Sequence, residues 1–131
     1  MLAAAERKDM TLDRIAVYDF IAIYGSYFGI TENNLHGEND YSFSEFASRR
    51  EILNEALKDL VLDGLVQAKH RKLGFCYEIT EVGRTFCNKQ STEYANAYKT
   101  MVFNTNQKYG SFTEIELLTM ISKKAKEALR R

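Results

Sequence analysis

Apolar residues recur along the chain in blocks that follow one of two periods, helical or extended. The first block begins after Thr11, where Ile15, Tyr18, Ile21, Ala22 and Phe28 are joined by Val17, Phe20, Ile23 and Tyr24. A stripe that wide predicts a helix buried on most sides. Asp13 falls in its first turn, and Gly25 and Gly29 loosen its far end. Residues 31–41, which read TENNLHGENDY, are polar and turn-rich and predict a surface loop.

Two capping boxes follow in quick succession. Ser42 with Glu45 opens a short helix holding Phe43 and Phe46. Ser48 with Glu51 opens a longer one, Arg49 to Asp63, with Leu53, Leu57, Leu60 and Val61 at core spacing. Gly64 stands where a left-handed residue ends a helix. Two helices parted by so short a turn carry the helix-turn-helix signature. Next come two extended runs, Leu65–His70 and Phe75–Thr80, around the basic turn Arg71-Lys72-Leu73-Gly74. In the second run Phe75, Tyr77 and Ile79 alternate with Cys76, Glu78 and Thr80, as expected of a strand with one buried face. Thr80 is placed to cap a short helical turn, Glu81–Asn88.

A helix-turn-helix followed directly by a β-hairpin predicts a winged helix. The last third adds two helices. Ser91 caps the first, which shows Tyr94, Tyr98, Met101 and Val102 and ends at Gly110. Thr113 with Glu116 opens the second, with Ile115, Leu118, Ile121, Ala125 and Leu129 on one side. The fold class expected is mainly α with a small β-hairpin (α+β): a winged helix-turn-helix with two extra C-terminal helices. One domain spans 1–131, divided into an N-terminal tail (1–10), a winged-helix core (11–90) and a C-terminal helical extension (91–131).

Composition adjusts this picture in few places. A chain of 131 residues has room for one domain. Eighteen basic residues balance eighteen acidic ones, so nucleic acid or an anionic membrane would be met only through a local patch. With no proline, helix ends rest on caps and glycines. Cys76 and Cys87 read as two small buried hydrophobes, with a disulfide as the lesser alternative. The apolar opening Met1–Ala5 is far too short for a signal segment or a membrane span. The expected compartment is the cytoplasm, without membrane contact.

Candidate chemistry is sparse. His36 and His70 have no metal-ligand spacing around them, and the chain has no phosphate-cradling glycine loop, G-x-S-x-G or H-E-x-x-H. The expectation is no enzyme, no metal and no cofactor. For DNA, Arg49 and Arg50 lie in the first turn of the would-be recognition helix, and Lys69, His70, Arg71 and Lys72 form a basic wing tip. That helix sets Arg49, Arg50 and Lys58 against Glu51, Glu55, Asp59 and Asp63, which favours a solvated mixed-charge face over base readout. The wing is the better candidate for double-stranded DNA. Lys123, Lys124, Lys126, Arg130 and Arg131 suit the C-terminal end of a helix dipole and need no partner. Tyr94, Tyr98 and Tyr109 are candidates for binding a partner protein, since tyrosine suits half-buried contact surfaces. Packing against the first helix is their competing role.

The run Leu12-Asp13-Arg14-Ile15-Ala16-Val17-Tyr18-Asp19-Phe20-Ile21 resembles the opening of the middle component of ABC-three-component systems, which include the Lamassu-type defence systems of bacteria. The likeness continues through Arg49-Arg50-Glu51-Ile52-Leu53, Leu60, Gly64-Leu65-Val66, Gly74-Phe75 and Tyr77, and into the final helix pair. The family often carries prolines before the helix-turn-helix, whereas here the loop reads His36-Gly37-Glu38-Asn39-Asp40. The resemblance implies a bridging subunit. It would sit on an SMC-like ABC ATPase with long coiled coils and help hold an effector nuclease, in a complex that senses phage or plasmid DNA. The runner-up reading is a winged-helix transcription regulator, dimeric through its last two helices.

Overall fold

The computed structural model describes residues 1–5, 7–30, 42–72 and 74–129. The expected loop at 31–41 with His36, Leu73 in the hairpin turn, and Arg130 and Arg131 lie outside the described residues, as do the side chains of Phe43 and Leu129.

Strand β1 (Met10–Thr11) leads directly into helix α1 (Leu12–Ile23), which Thr11 caps by accepting the Arg14 N–H at 3.1 Å. Arg14 through Ile23 are buried without a break, so α1 is the axis of the molecule. Helices α2 (Phe46–Leu62), α4 (Glu93–Tyr109) and α5 (Glu114–Leu129) pack around it. Each fully buried Phe, Ile or Val of α1 contributes on the order of 2 kcal/mol to this core. The helix stops at Ile23, short of Phe28; Gly25–Phe28 form a 3-10 turn closed by Gly29. That turn folds Phe28 back against Phe20, ring centroids 6.1 Å apart.

The two helices expected from the paired capping boxes are one. A 3-10 turn, Ser42–Glu45, runs straight into α2, and Ser48 lies within the helix rather than at its start. Nothing between Glu45 and Arg49 breaks a helix. Phe46, edge-on to Phe20 at 5.8 Å, anchors the first turn to α1. The far end follows expectation. Gly64, at φ 77°, donates to the Val61 carbonyl at 3.1 Å, and Leu65 to that of Leu60 at 3.0 Å, which is a Schellman closure.

Strands β2 (Val66–Arg71) and β3 (Gly74–Ile79) pair antiparallel from Val66↔Ile79 to Arg71↔Gly74. Strand β1 adds to the other side of β3, giving the order β1-β3-β2. The segment read as a tail thus supplies a strand, and Ala5 and Met10 are buried. The alternation expected in β3 fails at its start: Cys76 faces the interior and Phe75 is 59% exposed. Helix α3 (Glu81–Asn88) follows, capped by Thr80 as expected. Gly83 brings α3 so close to the α2–β2 link that an added Cβ would lie 2.1 Å from the Leu65 carbonyl oxygen.

Thr92, not Ser91, caps α4, since its hydroxyl accepts from Ala95 N–H at 3.1 Å. Thr113 and Glu116 form the expected reciprocal box at the start of α5. The buried face of α5 is turned from the expected one. Leu117 and Ile121 are inside, and Ile115 is 78% exposed. The cause lies one turn earlier, where Glu114 reaches inward to Arg14 at 2.8 Å. Residues 114, 117 and 121 share one side of a helix, so that ion pair sets the rotation. The architecture is mainly helical with a small three-stranded antiparallel sheet, an α+β fold.

Candidate macromolecular interface

Arg49, expected at a DNA surface, is bound into the fold. Its Nε donates to Asp19 Oδ2 at 2.7 Å and its Nη2 to Oδ1 at 3.2 Å. Asp19 is buried in α1, and its Oδ1 also accepts the Tyr98 hydroxyl at 2.7 Å. One carboxylate therefore ties α1, α2 and α4 together. Hydrogen bonding to Asp19 raises the Arg49 guanidinium's pKa above its ordinary value. Burial first, then the Asp19 charge, push the Tyr98 phenol far above its ordinary range. Arg50 pairs with Asp13 at 2.9 Å, half-exposed on both sides. Both arginines thus lie on carboxylates of α1, and the exposed charges left on α2 and its C-cap are Glu51, Glu55, Lys58, Asp59 and Asp63, beside exposed Ile52 and Leu62.

A second polar centre joins α1 to α4 and α5. Buried Arg14 donates to Glu114, to the Tyr18 hydroxyl at 3.2 Å and to the Phe112 carbonyl. Tyr18 in turn donates to Asn106 Oδ1 at 2.6 Å. Burial works to raise the Glu114 carboxyl, but Arg14 and local backbone hydrogen bonding outweigh it and hold the pKa below the usual carboxylate range. Neither centre emerged from sequence reasoning as a site. The signal was there: Arg14 and Asp19 are charges inside an apolar run, and a buried charge has to be paired.

The hairpin keeps its basic residues together at one end of the sheet, in two kinds of environment. Lys69 pairs with Glu78 across the strands, and its hydrogen bond holds the Glu78 carboxyl below its ordinary range. Arg71 pairs with Asp9 at 3.1 Å, which braces the hairpin tip against the chain entering β1. His70 is exposed and stands edge-on to Phe75 at 5.4 Å. Lys72, at the turn, is exposed and has no ion pair among the described residues. The three tyrosines do not form one surface. Tyr109 is buried and donates to the Phe28 carbonyl at 3.2 Å; Tyr98 is half-buried on Asp19. Tyr94 is 51% exposed and stacks on Tyr98 at 6.4 Å.

Both thiols are free: burial lifts the Cys76 pKa, as expected of a packed and unreactive sulfur. Among the described residues no three His, Cys, Asp or Glu side chains converge as metal ligands, and no helix is long and apolar enough to cross a membrane.

Fold and surface together define a mainly helical α+β chain with a basic hairpin at one end and an acidic helix face beside it. The chain belongs to the ABC-three component (ABC-3C) system Middle Component 2 family, whose model matches residues 1–131. Its partners are accordingly the other components of such a system. No curated protein and no solved structure matches the chain.

Proposed function

We propose that this middle component is a non-catalytic subunit that bridges an SMC-like ABC ATPase and an effector nuclease in an anti-phage or anti-plasmid defence complex, acting in the cytoplasm. Family membership over the full chain is the observation that carries this reading. The surface of α2 supports it: with Arg49 and Arg50 on α1 carboxylates, the face presented outward is acidic and suits protein contact better than phosphate contact. We also read the core as a winged helix in which α1 and α2 are the helix pair. The order β1-α1-α2-β2-β3 with sheet order β1-β3-β2 supports that assignment, with the expected short turn replaced by the long 24–45 connection. Tyr94 is the tyrosine placed to meet a partner.

The test is size-exclusion with light scattering on the chain alone and then mixed with the ATPase component of its system. A monomer or weak dimer that co-elutes with the ATPase is the expected result. A tight dimer that never co-elutes sinks the bridging role.

The exposed hairpin tip favours a second reading, sequence-independent contact with double-stranded DNA through the wing. There Lys69→Ala, Arg71→Ala and Lys72→Ala together weaken DNA binding evenly across sequences. The log–log salt slope falls by about one for each phosphate that is no longer neutralised. Lys72 carries most of that effect, because Lys69 and Arg71 are held by Glu78 and Asp9. Weakening confined to one DNA sequence at constant slope marks an operator reader instead.

A further inference from the structure

Between α2 and α3 lies an apolar groove with a cavity of about 230 Å³. Leu53, Ala56 and Leu60 form its α2 wall, Gly83 and Phe86 its α3 wall, and the chain's own Met1, Leu2 and Ala3 line it as well. Small-molecule sites typically run ~300–1,000 Å³ and carry a few convergent polar groups. This one is smaller and mainly apolar, which suits side chains projecting from another protein.

The apolar surface continues outward over both rims. Ile52 lies one turn before Ala56 and is 65% exposed; Val82 lies one turn before Phe86, and they are 64% and 54% exposed. Single exposed hydrophobes are ordinary, but three of them flanking an apolar cavity form a patch of the kind that marks a contact site. Leu53 to Leu60 covers two helical turns, about 10 Å, the length over which a docked helix places anchors at i, i+4 and i+7.

Charge then selects the occupant. Ile52, Ala56 and Asp59 of α2 and its C-cap Asp63 follow an i, i+4, i+7, i+11 stripe, so two exposed aspartates extend the apolar rim. Neither makes an ion pair among the described residues, whereas neighbouring Glu55 holds Lys58 at 3.2 Å. A rim of that sign repels nucleic acid and attracts basic side chains.

We propose that this groove seats an amphipathic helix of a partner protein, its apolar stripe in the cavity and its basic flank against Asp59 and Asp63. The inference rests on the bridging role above and names one surface that would perform it.

The experiment uses the full chain and two labelled, alanine-based helical peptides of about 15 residues. Both carry leucines at i, i+4 and i+7; one has lysines along a flank, the other glutamates. Fluorescence anisotropy is expected to show the lysine peptide binding about fivefold more tightly at low salt, an advantage that shrinks as salt is raised. Ala56→Glu, which puts a carboxylate into the wall, abolishes binding of both. Asp59→Lys with Asp63→Lys reverses the preference, and these exposed positions leave the fold intact. Equal affinity of the two peptides, or no binding of either, overturns the proposal. So does self-association of the chain that Ala56→Glu removes, since a second copy is then the occupant. If the ATPase complex forms and survives the double aspartate reversal, the groove assignment fails while the bridging role stands. If no complex forms but the peptides behave as expected, the bridging role fails and the groove stands.

Discussion

Asp19 is asked to satisfy three donors from two other helices while lying inside the most apolar helix of the chain. Removing its charge leaves Arg49 partly buried without a counterion, the situation in which breaking a pair costs more than the pair contributed. Asp19→Asn is therefore expected to destabilise the fold by about 3 kcal/mol in urea titration. Tyr98→Phe, which removes one hydrogen bond and no packing, costs about 1 kcal/mol. Equal effects for the two would place the stability in packing rather than in the carboxylate. Glu114 makes the corresponding statement about pH. Its folded pKa lies below the unfolded one, so its contribution is present at neutral pH. It drains away as pH drops below about 4.3 and on through the folded value. Glu114→Gln should flatten that acid limb in a series of melting curves, and an unchanged limb would remove Glu114 from the account.

At the scale of elements, the junction of α2, the hairpin and α3 depends on two glycines for different reasons. Gly64 has a left-handed backbone and open space where a side chain would go. Gly64→Ala should cost about 1 kcal/mol, the backbone strain alone. Gly83 has an ordinary backbone but no room, with the Leu65 carbonyl oxygen 2.1 Å from where a Cβ would sit. Gly83→Ala must push α3 away from the α2–β2 link, and the expected destabilisation is about 3 kcal/mol. The same shift opens the groove wall, so groove binding should weaken in Gly83→Ala and persist in Gly64→Ala. Anisotropy with the lysine peptide separates the two, and a Gly64→Ala effect as large as that of Gly83→Ala would refute the steric account.

The whole molecule is organised around α1, which packs against α2, α4, α5 and the sheet, while Ile52 of α2, Val82 and Phe86 of α3 and Phe75 of the hairpin stand exposed. A partner that binds only this folded form stabilises it by mass action, by about 3 kcal/mol at a hundredfold excess over Kd. Thermal melts of the chain with and without the ATPase component should register that gain as a rise of several degrees. Melts that superimpose at saturating ATPase would count against a direct contact.

How much of this was readable in advance depends on whether the information was local. Thr11, Thr80 and the Thr113/Glu116 box start helices where expected, because a cap is a contract between residues three apart. Gly64 and the two extended runs around the basic turn likewise place the end of α2 and the hairpin from neighbouring residues alone. The basic hairpin could be read directly as a run of charge, whereas α2 read as a mixed-charge face until Arg49 and Arg50 met carboxylates of α1. What lay beyond reach was set by residues distant in sequence. Glu114 against Arg14 turned α5 so that Leu117 faces inward and Ile115 outward. Met10 gained a strand by pairing with Tyr77, and Arg49 found Asp19 rather than solvent. The chain alone therefore determined where the main helices and the hairpin lie and which charges they carry. The tertiary structure decided which face of each is buried, because burial and charge pairing are satisfied between elements, not within them.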